Sequence, residues 1–148
     1  MLGRRYDDQV CSAARALEVV GERWTLLIMR DVLLGVVRFD GLLASLGIAR
    51  NVLSDRLAGL VEHGVLERVA YQRHPLRYEY RPTAAGRELA VVVVALMQWG
   101  DRNVPSPDGP PRTALHATCE GELVACLMCP DCGEPARPGE VTTRSNRA

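Results

Sequence analysis

The sequence predicts a mainly α fold with a small β-hairpin wing (α+β), a winged helix-turn-helix with a small zinc-ribbon-like C-terminal appendage. An amphipathic helix begins at Arg50 and stops at His63-Gly64, and two short segments rich in Val and Tyr follow it at once. These two observations predict the winged domain. The third is a group of closely spaced Cys and His residues after residue 114, which predicts the appendage.

Length and composition fit one domain plus a small appendage. The chain has 148 residues, and its 18 basic and 18 acidic side chains cancel, so bulk charge does not indicate a nucleic-acid partner. No apolar run is long enough for a signal peptide or a membrane span, so we expect a cytoplasmic protein with no membrane partner. There, the five Cys are better interpreted as thiols, metal ligands or redox sensors than as a disulfide scaffold.

Four helices are predicted before the hairpin. They cover about residues 8–20, 22–34, 39–46 and 50–62, with a short extended piece at 36–38. A tight glycine turn joins the third helix to the fourth. A helix, a tight turn and a second helix have the spacing of a helix-turn-helix.

The hairpin and one long helix complete the predicted domain, residues 1–102. The strands cover 65–72 and 77–81, and Thr83 is the expected N-cap of a helix over 84–101. That helix is apolar around most of its circumference, so it needs burial on several sides. A partner subunit would supply the second surface, and burial within the monomer is the alternative.

Composition changes after the long helix. Residues 103–113 contain four Pro and one Gly and are interpreted as a linker. A Cys-rich segment covers residues 114–137. The polar tail over 138–148 is expected to be disordered.

The Cys-rich segment holds two short-spaced pairs of candidate metal ligands, His116 with Cys119 and Cys129 with Cys132. A strand over 121–128 would return the second pair to the first, and four ligands can then surround zinc tetrahedrally. All four positions would be protein groups, so the zinc would be structural rather than catalytic. Cys126 could replace His116 as a ligand, and redox thiols or disulfides are the alternative to zinc.

The fourth helix predicts a surface that reads DNA bases. When its leucines face inward, the opposite face points to solvent. The N-terminal part of a recognition helix meets base edges, so the candidates are Asn51, Ser54 and Asp55. Asn can pair with adenine, and Asp can accept a hydrogen bond from cytosine.

Five further side chains are candidates for contact with DNA. Arg50 is best placed for a phosphate, whereas Arg56 could contact DNA or form an internal salt bridge. Arg73, His74 and Arg77 cluster at the predicted wing tip, where they would lie beside the backbone or in the minor groove. The alternative for the wing residues is a solvated hairpin surface.

Several segments, in order, resemble the HxlR-type winged-helix transcriptional regulators. They are C-S-A-A-R-A-L-E-V-V-G-E-R-W-T-L-L-I-M-R-D-V-L-L-G from Cys11, L-S-D-R-L-A-G-L-V-E-H-G-V-L-E-R from Leu53 and R-H-P-L-R-Y-E-Y-R-P-T-A-A-G-R-E-L from Arg73. The resemblance implies a homodimer on pseudo-palindromic operator DNA, with the first helix and the helix over 84–101 forming the dimer contact. Ala49 departs from the family, which often has Ser or Thr there, and Asn51 could be an alternative cap.

Many family members carry a Cys at the position of Cys11, and some use it to sense oxidants or electrophiles. Arg15 lies one helical turn away and could favour the reactive thiolate. The alternative is a small buried residue at the dimer contact.

The sequence therefore predicts a sequence-specific transcriptional regulator, with a redox signal or an unknown ligand as candidate effector. The alternative from another class is a protein–protein adaptor with a structural zinc module. An enzyme is not expected, because the C-x-x-C pairs lie in a short tail with no βαβ pattern around them.

Overall fold

The computed structural model describes Tyr6 and residues 9–146. These residues form two compact units, divided between Val93 and Val94. The elements are α1 (Ser12–Val20), α2 (Thr25–Leu33), α3 (Phe39–Leu46), α4 (Arg50–Glu62), β1 (Leu66–Arg73), β2 (Leu76–Pro82), α5 (Ala84–Asn103), β3 (Leu127–Met128) and β4 (Pro135–Ala136).

The predicted mainly α architecture with a β-hairpin is confirmed, and two helix starts are corrected. Cys11 has extended backbone angles, so α1 begins at Ser12 rather than near residue 8, which itself lies outside the described residues. Residues 22–24 form a turn, closed by the N–H of Thr25 on the carbonyl of Glu22 at 2.9 Å, so α2 begins at Thr25.

The core of the first unit forms where three helices meet the start of the hairpin. Its buried members come from α2, α3, α4 and the first residues after α4: Ile28, Met29, Val32, Leu42, Leu53, Leu57, Leu60, Val65 and Leu66. The three leucines of α4 are at most 1% exposed, as their spacing predicts. Their burial leaves the opposite face of α4 free for a partner.

Replacing Leu57 with Ala should lower the free energy of unfolding by about 2–5 kcal/mol, because it leaves a cavity in a filled core. Glu62→Ala, at an exposed position on the same helix, is the control and should change it by less than about 0.5 kcal/mol. Urea titration followed by circular dichroism measures both. Equal effects would contradict this description of the core.

The wing is a two-stranded antiparallel sheet that is anchored to the chain before α3. β1 and β2 pair from Leu66↔Pro82 to Arg73↔Leu76, with an irregularity between Ala70 and Gln72. The N–H of Tyr80 donates to the carbonyl of Val37 at 2.7 Å, and Arg38 forms a bridge with Glu79. The extended piece predicted at 36–38 therefore bonds to β2 and holds the wing in place.

The start of α5 is capped and closely packed, as predicted for Thr83. The Thr83 hydroxyl accepts from the N–H of Gly86 at 3.2 Å and donates to the carbonyl of Gly64 at 2.6 Å. A Cβ atom at Gly86 would meet the carbonyl oxygen of Val65 at 2.2 Å, so only glycine fits there. This packing joins the end of the wing to the first turn of α5.

One face of α5 remains apolar and exposed. Val92, Leu96 and Trp99 follow at i, i+4 and i+7 and are 43%, 52% and 55% exposed. Val93, on another side of the helix, is buried. The apolar composition of α5 predicts burial on several sides of the helix. The single chain does not provide it. We call Val92, Leu96 and Trp99 the α5 stripe.

The second unit begins at Val94 and so includes the C-terminal part of α5. Gln98, on this part of the helix, contacts the Cys-rich segment. Its amide nitrogen donates to the carbonyl of Leu123 at 2.7 Å, and its amide oxygen accepts from the N–H of Ala125 at 2.9 Å. The Cys-rich segment is thus held directly to the helix.

The strand predicted over 121–128 is wrong for most of its length. Glu122 makes a single bridge with Leu115, and only Leu127–Met128 forms a strand, paired with Pro135–Ala136. Between them the chain bonds to the Gln98 side chain instead of to a neighbouring strand, so no ladder extends there. Residues 104–113 contain no helix or strand, and neither do residues 137–146.

Within the described part of the chain, no helix has both the length and the apolar character needed to cross a membrane.

Candidate nucleic-acid interface

The exposed face of α4 carries the side chains that the sequence predicts for base contact. Asn51, Ser54 and Asp55 are all exposed, while the leucines on the other side are buried. Ala49 is the N-cap residue and makes no side-chain capping bond. The alternative cap at Asn51 is wrong, because the helix already begins at Arg50 and Asn51 is inside its first turn. The Asn51 side chain is thus left to face outward.

Arg50, the first residue of α4, is held against the first turn of α3 while most of its side chain stays accessible. Its Nη2 lies 3.6 Å from Oδ1 of Asp40, and its guanidinium carbon lies 5.1 Å from the centre of the Phe39 ring. The side chain remains 67% exposed. A guanidinium fixed but open to solvent suits contact with a phosphate.

Arg56 forms an internal salt bridge, which is one of the two alternatives that the sequence allowed for it. Its Nη2 lies 3.0 Å from Oε2 of Glu22, in the turn before α2, and its side chain is only 31% exposed. Its Nε is buried without a hydrogen-bond partner among the described residues. This ion pair favours the internal salt bridge for Arg56, one of the two roles that the sequence predicts.

The wing tip brings together Arg73, His74 and Arg77, and all three are exposed. The amide nitrogen of Gln72 donates to the carbonyl of His74 at 3.0 Å, which orders the turn. None of the ion pairs found among the described residues uses Arg73 or Arg77. The tip therefore presents two guanidinium groups that form no ion pair with a carboxylate of the described residues.

Sequence reasoning missed the side chains that support the wing. Glu79 accepts from Arg81 at 2.8 Å and from Arg38 at 3.2 Å, and these hydrogen bonds, the one from Arg81 most of all, lower the pKa of its carboxyl group. Because both partners are cations, the charge of Glu79 is offset. Arg38 comes from a segment 41 residues earlier, so no local pattern could have revealed the pair.

Two Arg–Tyr contacts also order the wing. The guanidinium carbon of Arg68 lies 4.2 Å from the ring centre of Tyr78, and that of Arg38 lies 4.2 Å from the ring centre of Tyr71. The interleaving of Arg and Tyr along the hairpin is the sequence signal that could have predicted them. Both contacts keep cationic groups on the surface of the wing.

Cys11 is exposed and precedes the first turn of α1. The backbone N–H of Ala14, and next that of Ala13, lower the pKa of its thiol, and the charge of Arg15 adds a smaller effect in the same direction. The sequence pointed to Arg15, but the structure assigns the main effect to the N-terminus of the helix. The alternative interpretation, burial of Cys11 at a dimer contact, concerns a second subunit and stays a prediction.

The predicted zinc ligands form two separate pairs. His116 Nδ1 lies 3.2 Å from Sγ of Cys119, and the sulfur of Cys129 accepts from the backbone N–H groups of Cys132 and Asp131 and from the Cys132 thiol. These donors lower the pKa of the Cys129 thiol. Among the residues that the structure describes, no three His, Cys, Asp or Glu side chains come together as a metal site. The four-ligand arrangement is therefore not assembled in this structure.

Comparison with known proteins agrees with the winged fold and extends to the appendage. The family model of HxlR-like helix-turn-helix proteins matches residues 19–108. An HTH-type transcriptional regulator of Mycobacterium tuberculosis is 49% identical over 144 residues, which is 97% of this chain and 87% of that protein.

Solved structures give the same picture. The crystal structure of the candidate transcription factor PA1607 superimposes with a TM-score of 0.82 at 33% identity, covering 95% of this chain and 98% of that one. The redox regulator HypR in its oxidised form superimposes with a TM-score of 0.58 at 28% identity, covering 63% of this chain and 97% of that one. The chain belongs to the HxlR-like helix-turn-helix family of transcriptional regulators.

Proposed function

We propose that the chain acts as a homodimer that binds a pseudo-palindromic operator through α4 and the wing. The observation that carries this proposal is the exposed polar face of α4 in the same unit as a wing tip with two exposed arginines. A recognition helix reads bases in the major groove, while cations at a wing contact the neighbouring backbone.

The α5 stripe supports the dimer. Its three large apolar side chains are about half exposed in the single chain, and a partner subunit of the same sequence would cover them. The exposed Leu17 of α1 is a further apolar side chain for this contact. Two copies related by a two-fold axis would present two α4 helices to two half-sites, which is why we expect a pseudo-palindrome.

Sequence specificity should depend on Asn51. Its amide can donate to and accept from one adenine at once, so Asn51→Ala should weaken binding to the preferred sequence by about 1–3 kcal/mol. Binding to random duplex, which depends on phosphates, should change little. Fluorescence anisotropy with the preferred and a scrambled duplex measures both, and Ala58→Ser, at an exposed position on the same face, is the control. An equal loss on both duplexes would contradict a base contact.

A protein–protein adaptor remains the second candidate, because the exposed α4 face and wing could also meet a protein. Retention on random duplex DNA, measured at increasing salt concentration, separates the two. A DNA-binding regulator should be retained at low salt and released as salt rises, because counterions compete for the phosphates. The adaptor predicts no retention at any salt concentration.

The regulator would respond to a redox or electrophilic signal through Cys11. HypR is a structural relative that is itself a redox regulator, and the N–H groups of α1 lower the pKa of the Cys11 thiol. The thiolate fraction at neutral pH is raised accordingly, and the thiolate is the nucleophile.

Cys11 should therefore be alkylated by iodoacetamide at neutral pH faster than Cys126, which is also exposed. Its sulfur forms the new bond to carbon as iodide leaves. The rate should fall as pH drops through the lowered pKa. Because the backbone N–H groups dominate, Arg15→Ala should slow the reaction less than roughly threefold. Peptide mass spectrometry after short labelling measures these rates, and equal labelling of Cys11 and Cys126 would remove Cys11 as the sensor.

A further inference from the structure

The C-terminal segment folds without a core of its own. Among residues 104–146 no side chain is buried, although the segment contains a bridge, a two-residue hairpin and several tight turns. All five cysteines are free thiols, so no disulfide links these turns. A short segment with neither a core nor a disulfide usually needs another source of folding free energy, and a bound metal is the common one.

The first turn holds one pair of donor atoms in place. The N–H of His116 donates to the carbonyl of Gly121 at 2.8 Å and the N–H of Glu120 to that of His116 at 2.8 Å, which closes the loop between them. The loop places His116 Nδ1 3.2 Å from Cys119 Sγ. Two ligands with Zn–N and Zn–S bonds of ordinary length at a tetrahedral angle lie about 3.6 Å apart. The pair is thus within a few tenths of an ångström of the spacing that zinc requires.

The second turn holds the other pair at the tip of the β3–β4 hairpin. The N–H of Gly133 donates to the carbonyl of Cys129 at 2.9 Å, and the N–H of Cys129 donates to that of Glu134 at 3.0 Å. Gly133 has a φ of +73°, which lets the chain turn back under the sulfur atoms. Backbone N–H groups of Cys132 and Asp131 point at the Cys129 sulfur, as in metal-binding knuckles where they stabilise a bound thiolate.

We propose that His116, Cys119, Cys129 and Cys132 bind one zinc ion, which joins the two turns and stabilises the C-terminal segment. The donor set, one imidazole and three thiols, suits zinc better than the oxygen-seeking Mg²⁺ and Ca²⁺. No three of these donor groups lie together among the described residues, so zinc binding has to bring the two turns closer. Because Gln98 fastens the chain between them to α5, the closed segment would remain attached to that helix. Zinc binding by this segment does not require that the chain bind DNA.

The test uses the full chain, purified with a reductant, incubated with zinc sulfate, freed of excess metal and weighed by native mass spectrometry. We expect one zinc per chain. Cys129→Ser with Cys132→Ser should abolish it, and so should His116→Ala with Cys119→Ser. Cys126→Ser and Cys11→Ser are the matched controls and should retain it. Thermal unfolding of the first compact unit, which contains the wing and is called the winged unit below, shows whether each variant still folds.

Limited proteolysis gives a second measurement. A chelator should speed cleavage within residues 114–137 of the zinc-loaded chain and leave the winged unit as resistant as before. Three results would overturn the proposal: no zinc retained by the intact chain, zinc retained after loss of either pair, or cleavage that is indifferent to the chelator.

Discussion

Replacing Leu96 and Trp99 together with Glu should produce a monomer and lower operator affinity by at least about 100-fold. The two side chains are 52% and 55% exposed in the single chain, and large buried anchors at an interface are each worth about 2 kcal/mol or more. Charges placed there would also have to be desolvated on dimerisation. Glu is a good helix former, so α5 itself should persist.

Analytical ultracentrifugation and anisotropy on operator DNA measure the two effects, with circular dichroism as a check on helix content. Ala90→Glu is the control, because Ala90 is exposed on the side of α5 opposite to the α5 stripe. If the double variant remained dimeric, the α5 stripe would not be the subunit contact. A monomer with unchanged affinity would contradict the need for two α4 helices.

Replacing Arg73 and Arg77 with Ala should weaken binding to every duplex and make it less sensitive to salt. Each arginine that neutralises a phosphate contributes about 0.9 to the slope of log affinity against log salt, so two such contacts per subunit should reduce the slope by about 3–4 in the dimer. Affinity at low salt should fall by at least about tenfold. Preference among sequences should be preserved, because phosphate contacts do not specify bases.

The matched control is Arg137→Ala with Arg144→Ala, which removes the same charge from exposed positions near the end of the chain. It should leave the salt slope unchanged. An unchanged slope in the Arg73 and Arg77 variant would show that the wing tip does not meet DNA. A slope reduced equally by both variants would indicate a general effect of net charge.

The spacing of apolar residues predicted the elements of the winged unit well, because interactions between residues close in sequence determine them. The leucine spacing of α4 fixes which face is buried, and Thr83 caps α5 through a bond within one turn of the helix. α3 and α4 begin and end where their sequence patterns change. The starts of α1 and α2 were harder to predict, because residues that fit the helical pattern lie in turns or extended backbone just before each helix.

Long-range partners were beyond the sequence. Nothing near Glu79 indicates that Arg38 will pair with it, and nothing near Arg56 selects Glu22 over a phosphate. Gln98 shows the same difficulty in the second unit: one side chain replaces a strand partner, and the expected strand does not form. Each of these contacts depends on how elements that are distant in the sequence pack together.

Selection of bound duplexes from a random pool by the full chain, with and without reductant, shows whether the chain reads DNA as a dimer. We expect enrichment of an inverted repeat whose half-sites are centred about one helical turn, roughly 10 base pairs, apart or a multiple of it. In the reduced state two chains should bind each duplex. No enriched sequence, or a single half-site bound by one chain, would contradict a dimeric regulator that reads DNA through α4 and the wing.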